Sequence, residues 1–330
     1  MAAPALTPDR PTAEAAHSKE ERPKALGASV EGHYDALDGF YREVWGEHLH
    51  HGLWLTGRET PEQAARQMAA RVAFRARLQK GQTVCDVGSG YGATARYLAE
   101  RLGARVTALT LSRRQHAYAR RQRVSAGVSA PTYLRRDWLD NDLPASSFDA
   151  VLAVECASHM ADRRRFFEEA FRVLRPGGRL VACLWCSAEA PARWQRRLLL
   201  DPIVRTGRLA GLDPPSTYRQ WGMEAGFAVE SLDDLSRKVR RTWSVCTRRM
   251  AGKLLADGRY RRFLFDPAQR HRAFALAVPL LWLAYRTGAM RYGLLTARKP
   301  SEQGPGAKAA RPATRIEENT RGVFSSKAAG

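Results

Sequence analysis

The chain is short of cysteine and of acid, and it has no long apolar run. Five cysteines among 330 residues (Cys85, Cys156, Cys183, Cys186 and Cys246) are an odd set without framework spacing. This excludes a disulfide scaffold and leads us to expect a reduced, cytoplasmic protein. The longest apolar stretch, Phe274–Tyr285, is interrupted by Pro279 and falls well below the roughly 20 residues a membrane-spanning helix needs. The N-terminus lacks the basic-then-apolar pattern of a secretory signal. Acids number 33 against 54 lysines and arginines, for a net charge of +21. Such a field draws anionic surfaces. The arginines are scattered, however, with small clusters at Arg163–Arg165, Arg237–Arg241 and Tyr260–Arg262. No dense basic stripe is interleaved with aromatics, so no specific nucleic-acid partner is expected, only loose association with an anionic membrane surface.

What the chain does have is the segment VCDVGSGYGATARYL over Val84–Leu98. A short apolar run carries Asp86. Glycines follow at Gly88, Gly90 and Gly92, and then Ala95, Leu98 and Leu102 fall on one helical face. This reads as strand, tight turn and helix start. Such a turn lets a ligand approach the backbone closely and presents free N–H groups to an anionic moiety. Ala93 stands where the dinucleotide fingerprint requires its third glycine, so the turn alone is a weak signal.

The segments downstream strengthen it. Strands are expected at Thr83–Val87, Arg105–Leu111, Thr132–Arg136, Phe148–Glu155 and Arg179–Leu184, with helices between them. Arg175-Pro176-Gly177-Gly178 would stop the helix over Arg163–Leu174. Tyr218–Ala225 looks helical, Phe227–Ser231 extended, 243–288 mostly helical, and Tyr292–Arg298 a last strand. Alternation of this kind specifies an α/β fold, a mostly parallel sheet with helices on both faces. The folded part is expected over 29–300, flanked by disordered tails at 1–28 and 301–330. Ligands of such sheets bind beyond the carboxyl ends of the strands. Those ends hold Asp86, Thr110 with Ser112 and Gln115, Asp137-Trp138, and Glu155 with His159.

In these residues the chain resembles the class I S-adenosylmethionine-dependent methyltransferases. VCDVGSGYG, ALTLSRRQ, RRDWLDNDLPASSFDAVLAVECASHM and RVLRPGG match in order and spacing. VWGEHLHHGLW (44–54), LWC (184–186) and VPLLWLAYRTGAMRYGLLTARKP (278–300) extend the likeness toward the tocopherol-methyltransferase-like branch that acts on small molecules. The resemblance implies a Rossmann-like, seven-stranded sheet with a helical substrate lid. It implies that Asp86, Gly88 and Gly90 hold the methionine end of S-adenosylmethionine. Thr110 and Gln115 would lie by the ribose, Asp137 would accept from the adenine amino group, and Trp138 would pack against that ring. Glu155 would join the cofactor site or brace the glycine turn. The lipid-modifying cyclopropane synthases are similar at a greater distance.

Transfer to an oxygen or phenolic acceptor requires removal of a proton, a task suited to histidine. His159, just past the fourth strand, is the candidate base; it could instead cap the next helix or bond to Glu155. Tyr34 belongs to an N-terminal segment that the resemblance folds over the cofactor, and is the second catalytic candidate. His48, His50 and His51 crowd together without the carboxylates or thiols of a metal site, and Cys183-x-x-Cys186 lacks a second pair, so no metal is expected. Trp45 and Trp54 would line the acceptor pocket or join the core. Lid segments 187–216 and 243–288, with Trp243, Phe263, Phe265, Phe274, Leu281 and Trp282, would supply an apolar underside for a lipophilic or aromatic acceptor. Two other functions fit the same sequence: cyclopropanation of a lipid alkene, and a non-catalytic nucleic-acid-binding protein on the same fold.

Overall fold

The central strands that lead into the site are mostly buried, as strands covered on both faces must be, whereas the outer strand at Thr132–Arg135 is exposed at both ends. The computed structural model describes residues 21–266 and 272–301. Its strands are β1 (Thr83–Val87), β2 (Arg105–Thr110), β3 (Thr132–Arg135), β4 (Phe148–Val154), β5 (Leu174–Ser187), β6 (Ala228–Asp234) and β7 (Met290–Arg298). They form one sheet in the order β3-β2-β1-β4-β5-β7-β6. The pairs from β3 through β5 are parallel, whereas β7 runs antiparallel to both β5 and β6. The chain builds outward from β1 to β3 and then returns to lay β4 on the other side of β1. A crevice therefore opens at that reversal, beyond the strand ends.

Helices α1 (Glu21–Ala36), α2 (Asp38–Val44) and α3 (Pro61–Arg75) precede the sheet. Helices α4 (Ala93–Leu102), α5 (Arg113–Arg121) and α6 (Arg163–Val173) connect the parallel strands. The first lid segment contains α7 (Arg193–Gln195), which runs through a π-helical turn at Arg196–Leu200 into α8 (Asp201–Thr206). Between the lid segments lie α9 (Pro215–Glu224), which packs on α6 and β6, and α10 (Ser236–Val239); the second segment holds α11 (Arg241–Ala256), α12 (Gly258–Phe265) and α13 (Arg272–Arg286). Alternate strand residues feed two cores, one on each face of the sheet. Val84, Ala108, Val181 and Cys183 lie in one; Cys85, Leu109, Ala182 and Cys186 lie in the other with Phe166 and Phe167 of α6. Cys183 and Cys186 therefore point to opposite faces and cannot share a metal.

Two boundaries differ from the sequence expectation by more than three residues. Residues 21–28, assigned above to a disordered tail, begin α1, whose Gly27 and Val30 help enclose the main cavity. Strand β5 starts at Leu174 and takes in Arg175–Gly178, because Gly177 N donates to Lys299 O and Lys299 N to Gly178 O. The expected tail at 1–20 and that beyond Ser301 lie outside the described residues.

Candidate active site

The glycine turn forms because its backbone must pass where a side chain cannot. Gly88 has φ +69°, and a Cβ there would sit 2.4 Å from the Cβ of Cys156. The bare backbone at Gly88 and Gly90 forms the floor of a cavity of about 870 Å³, its open mouth included. Thr110, Ser112, Gln115, Asp137, Trp138 and Glu155 border it, and Gly27, Val30 and Tyr34 of α1 roof it. One hollow thus gathers every predicted cofactor residue except Asp86. Asp86 lines a smaller hollow of about 320 Å³ that shares Leu49, Gly88, Gly90 and Val154 with the first.

Asp86 is 2% exposed, and its Oδ2 has no hydrogen-bond partner. Burial pushes its carboxyl up to about 7. An ionised carboxylate in that setting calls for a cationic or hydrogen-bonding ligand. Asp137 makes neither of the ion pairs its neighbours could offer: Arg135 pairs with Glu31 and Arg136 with Asp142. Its Oδ1 caps Leu139 N at 2.9 Å. Thr110 Oγ1 donates to Gln115 Oε1 at 2.8 Å, so the two expected ribose neighbours are already hydrogen-bonded to each other. Trp138 borders the cavity, but its ring is 3% exposed and packs among core residues, with Nε1 donating to Phe166 O at 3.2 Å. That hydrogen bond fixes the orientation of the ring in the cavity wall.

Both carboxylate oxygens of Glu155 are held by the protein. Oε1 accepts from His51 N (2.7 Å) and Tyr292 Oη (2.6 Å); Oε2 accepts from His51 Nδ1 (3.0 Å) and Trp185 Nε1 (2.8 Å). A carboxylate offers about four acceptor sites, so the protein already fills them all. The side chain therefore braces His51, Trp185 and Tyr292, while the residue itself still borders the glycine-floored cavity. Burial alone would raise this carboxyl, but the adjacent His51 and His50 and the Tyr292 hydroxyl bring it down to about 2. Glu155 also adopts φ +63°, a strained conformation for a non-glycine residue.

His159 neither caps α6, whose N-cap is Asp162, nor bonds to Glu155. Its Nδ1 lies 3.2 Å from Arg208 O and its Nε2 3.0 Å from Tyr34 Oη. A carbonyl oxygen only accepts, so Nδ1 carries the proton and Nε2 presents its lone pair to the tyrosine. Burial lowers the imidazole below its ordinary value and raises the Tyr34 phenol above its own. The ring is thus a free base at neutral pH. Arg208 sits at φ +53° to offer that carbonyl, a contact that nothing in its sequence context signals.

His159 and Tyr34 also border a second chamber of about 520 Å³, walled by Tyr41, Trp45, Trp185 and Trp243. Neighbouring rings stand 5.3 Å (Tyr34–Tyr41), 5.7 Å (Trp45–Trp243) and 5.8 Å (Trp185–Trp243) apart. Of the apolar lid residues expected here, only Trp243 lines the chamber among the described side chains. Phe263 packs on Phe40, Leu281 is core, and Phe265 and Trp282 face outward at 73% and 37% exposure. The side chain of Phe274 lies outside the described residues. Trp54 is core, its Nε1 donating to Thr242 Oγ1. Among the described residues no cluster of His, Cys, Asp and Glu could hold a metal. His48 pairs with His50 at 3.1 Å.

Residues 85–182 match the family model described as "Methyltransferase domain". The chain is 30% identical over 271 residues to 27-O-demethylrifamycin SV methyltransferase of Amycolatopsis mediterranei (strain S699), covering 81% of this chain and 95% of the relative. It is 29% identical over 297 residues to a protein of Oryza sativa subsp. japonica named "Probable tocopherol O-methyltransferase, chloroplastic", covering 84% and 80%. Among solved structures, the [4+2]-cyclase SpnF superposes with TM-score 0.68 at 28% identity, over 82% of this chain and 95% of that one.

Proposed function

Since this chain belongs to the S-adenosylmethionine-dependent methyltransferases, we propose that it methylates a hydroxyl on a flat, lipophilic or aromatic acceptor, with His159 removing the hydroxyl proton. The observation that carries this reading is the Arg208–His159–Tyr34 chain, set where the glycine-floored cavity adjoins the aromatic chamber. S-adenosylmethionine supplies a methyl group already activated on a sulfonium. The residues present fit it. The unpartnered Asp86 carboxylate suits its ammonium group, bare glycine backbone leaves room for its methionine end, and Asp137, Thr110 and Gln115 offer polar edges for a nucleoside.

The rest of the site orients and shields. Tyr34 roofs the cavity and its hydroxyl donates to His159 Nε2, so the acceptor hydroxyl gives its proton to Tyr34 Oη as Tyr34 passes its own to Nε2. The Trp45, Trp185 and Trp243 faces hold an acceptor ring by apolar contact and exclude water. Glu155 ties His51, Trp185 and Tyr292 into one rigid back wall.

The exposed lid supports a membrane-surface reading. Trp194, Leu198, Trp282 and Leu283 face solvent beside Arg193, Arg197 and Arg286, with Gln195 Nε2 donating to Thr287 O to join the two segments. Aromatic and arginine side chains together suit an anionic lipid surface, where a lipophilic acceptor would dissolve. We place the enzyme in the cytoplasm, at the periphery of such a surface.

The relatives named for O-methyl transfer favour this reading over cyclopropanation of a lipid alkene. With the enzyme class shown, the non-catalytic nucleic-acid alternative falls away. The deciding experiment incubates the protein with labelled S-adenosylmethionine and fractionated cell extract, and identifies labelled products by mass spectrometry and NMR. A labelled O-methyl group on an aromatic or lipophilic product is expected. A product rearranged without label, or one labelled at a cyclopropane carbon, refutes the proposal.

A further inference from the structure

The aromatic chamber holds a second imidazole, to which the preceding reading gives only a place in the back wall. His51 is 2% exposed and borders the chamber. Its Nδ1 lies 3.0 Å from Glu155 Oε2, and its backbone N–H donates to Oε1 at 2.7 Å. A carboxylate accepts only, so Nδ1 carries a proton. The other ring nitrogen, Nε2, is sealed from solvent and has no hydrogen-bond partner among the described residues. Rings of Trp185, Trp243, Tyr285 and Tyr292 surround the imidazole with centroids 5.4, 5.1, 5.5 and 5.0 Å away. The orientation is therefore fixed by packing on several sides and by a carboxylate at the back. This is the arrangement of a base held by an orienting acid, with its working nitrogen left over. A polar atom buried without a partner is costly, and the neighbouring Trp243 Nε1 and Tyr285 Oη are likewise buried without one among the described residues. An oxygen-bearing ligand in the chamber would supply a partner.

We propose that His51, oriented by Glu155, is a second acceptor-binding group, whose Nε2 forms a hydrogen bond with an oxygen function of the acceptor. His159 and His51 then engage two different oxygens, and the acceptor is an aromatic compound that carries both. The inference rests on the reading that this chamber receives the acceptor. It adds a demand on the acceptor's chemistry that His159 alone does not make. Arg208 and Glu155 play matching parts: each uses strained backbone (φ +53° and +63°) at a residue that orients one imidazole.

The test uses the full chain saturated with S-adenosylhomocysteine and titrated calorimetrically with a naphthalenediol and the matching naphthol. The wild type is expected to bind the diol about tenfold more tightly, the worth of one buried hydrogen bond. In His51→Phe that ratio should fall to about one, while affinity for S-adenosylhomocysteine stays unchanged. A ratio near one in the wild type, or a ratio that survives in His51→Phe, overturns the proposal. If His51→Phe does not fold, spectra of the wild type labelled with 15N-histidine decide: the diol must shift His51 Nε2, and an unmoved resonance overturns it. S-adenosylhomocysteine binding that persists alongside a ratio of one removes His51 and leaves the methyltransferase reading intact. Loss of that binding in the wild type strikes the reading itself.

Discussion

Asp86→Asn separates what the cofactor site gains from what the fold loses. The wild-type carboxyl is buried, lacks a partner at Oδ2, and is raised to about 7 by desolvation. In the ligand-free protein the folded state therefore keeps a proton that the unfolded chain gives up near pH 4. The stability tied to this group is fully present below that pH and is lost as pH rises through the folded value. A span of about 3 pH units at ~1.4 kcal/mol each amounts to on the order of 4 kcal/mol by pH 8. Asparagine carries no charge and avoids that loss. Ligand-free Asp86→Asn should accordingly melt above the wild type at pH 8, with the gap closing toward pH 5. Binding reverses the sign. A ligand ammonium stabilises the ionised carboxylate, so S-adenosylhomocysteine should release roughly half a proton at pH 7 and bind about tenfold more tightly at pH 8 than at pH 6. Calorimetry in phosphate and in Tris reads the proton directly, through the difference in buffer ionisation heat. Buffer-independent heats with flat affinity across pH 6–8, or wild-type affinity in Asp86→Asn, would refute the reasoning.

Three further outcomes follow from the same geometry. His159→Asn should slow turnover by roughly 10²–10⁴-fold with S-adenosylhomocysteine affinity unchanged, and the wild-type rate should fall only below pH 6.5, because burial lowers this imidazole; an acid limb above 7 contradicts the assignment. Gly88→Ala must place a Cβ 2.4 Å from that of Cys156 at φ +69°, so melting temperature and S-adenosylhomocysteine affinity should both drop, the left-handed backbone alone costing ~1–2 kcal/mol; calorimetry and a thermal melt check this. Trp194→Ser with Trp282→Ser should reduce co-sedimentation with vesicles of phosphatidylcholine and phosphatidylserine without shifting the melting temperature, and equal sedimentation of both proteins removes the lid face as the membrane contact.

Much of the fold can be read from local pattern. Strands β1 to β4 announce themselves as apolar runs punctuated by Gly88–Gly92, Asp137 and Glu155, and the helices between them keep one apolar face. Asp86, Thr110, Asp137 and His159 were legible because strand ends converge by topology alone. What no local pattern carries is pairing across distance. Glu155 meets His51 from 104 residues upstream and Tyr292 from 137 downstream, so its saturation is invisible until the sheet closes. The lid misled for a related reason. Helices apolar on several sides do not declare which side meets the chamber, and so Trp243 turned inward while Phe265 and Trp282 turned out. Arg208 contributes a carbonyl, the one group every residue has, and its side chain gives no hint of it. The N-terminal boundary failed because α1 begins inside a stretch whose composition resembles a linker.

The four donors that neutralise Glu155 all come from outside the span 85–182 that matches the family model. A fragment cut to that span would retain the glycine turn and the acid, yet strand a bare anion at the end of β4. Grafts between relatives should therefore carry the stretch around His51, the end of β5 and strand β7 along with the common centre. Change in acceptor during divergence would be confined to exchanges that keep this charge answered from three separate parts of the polypeptide.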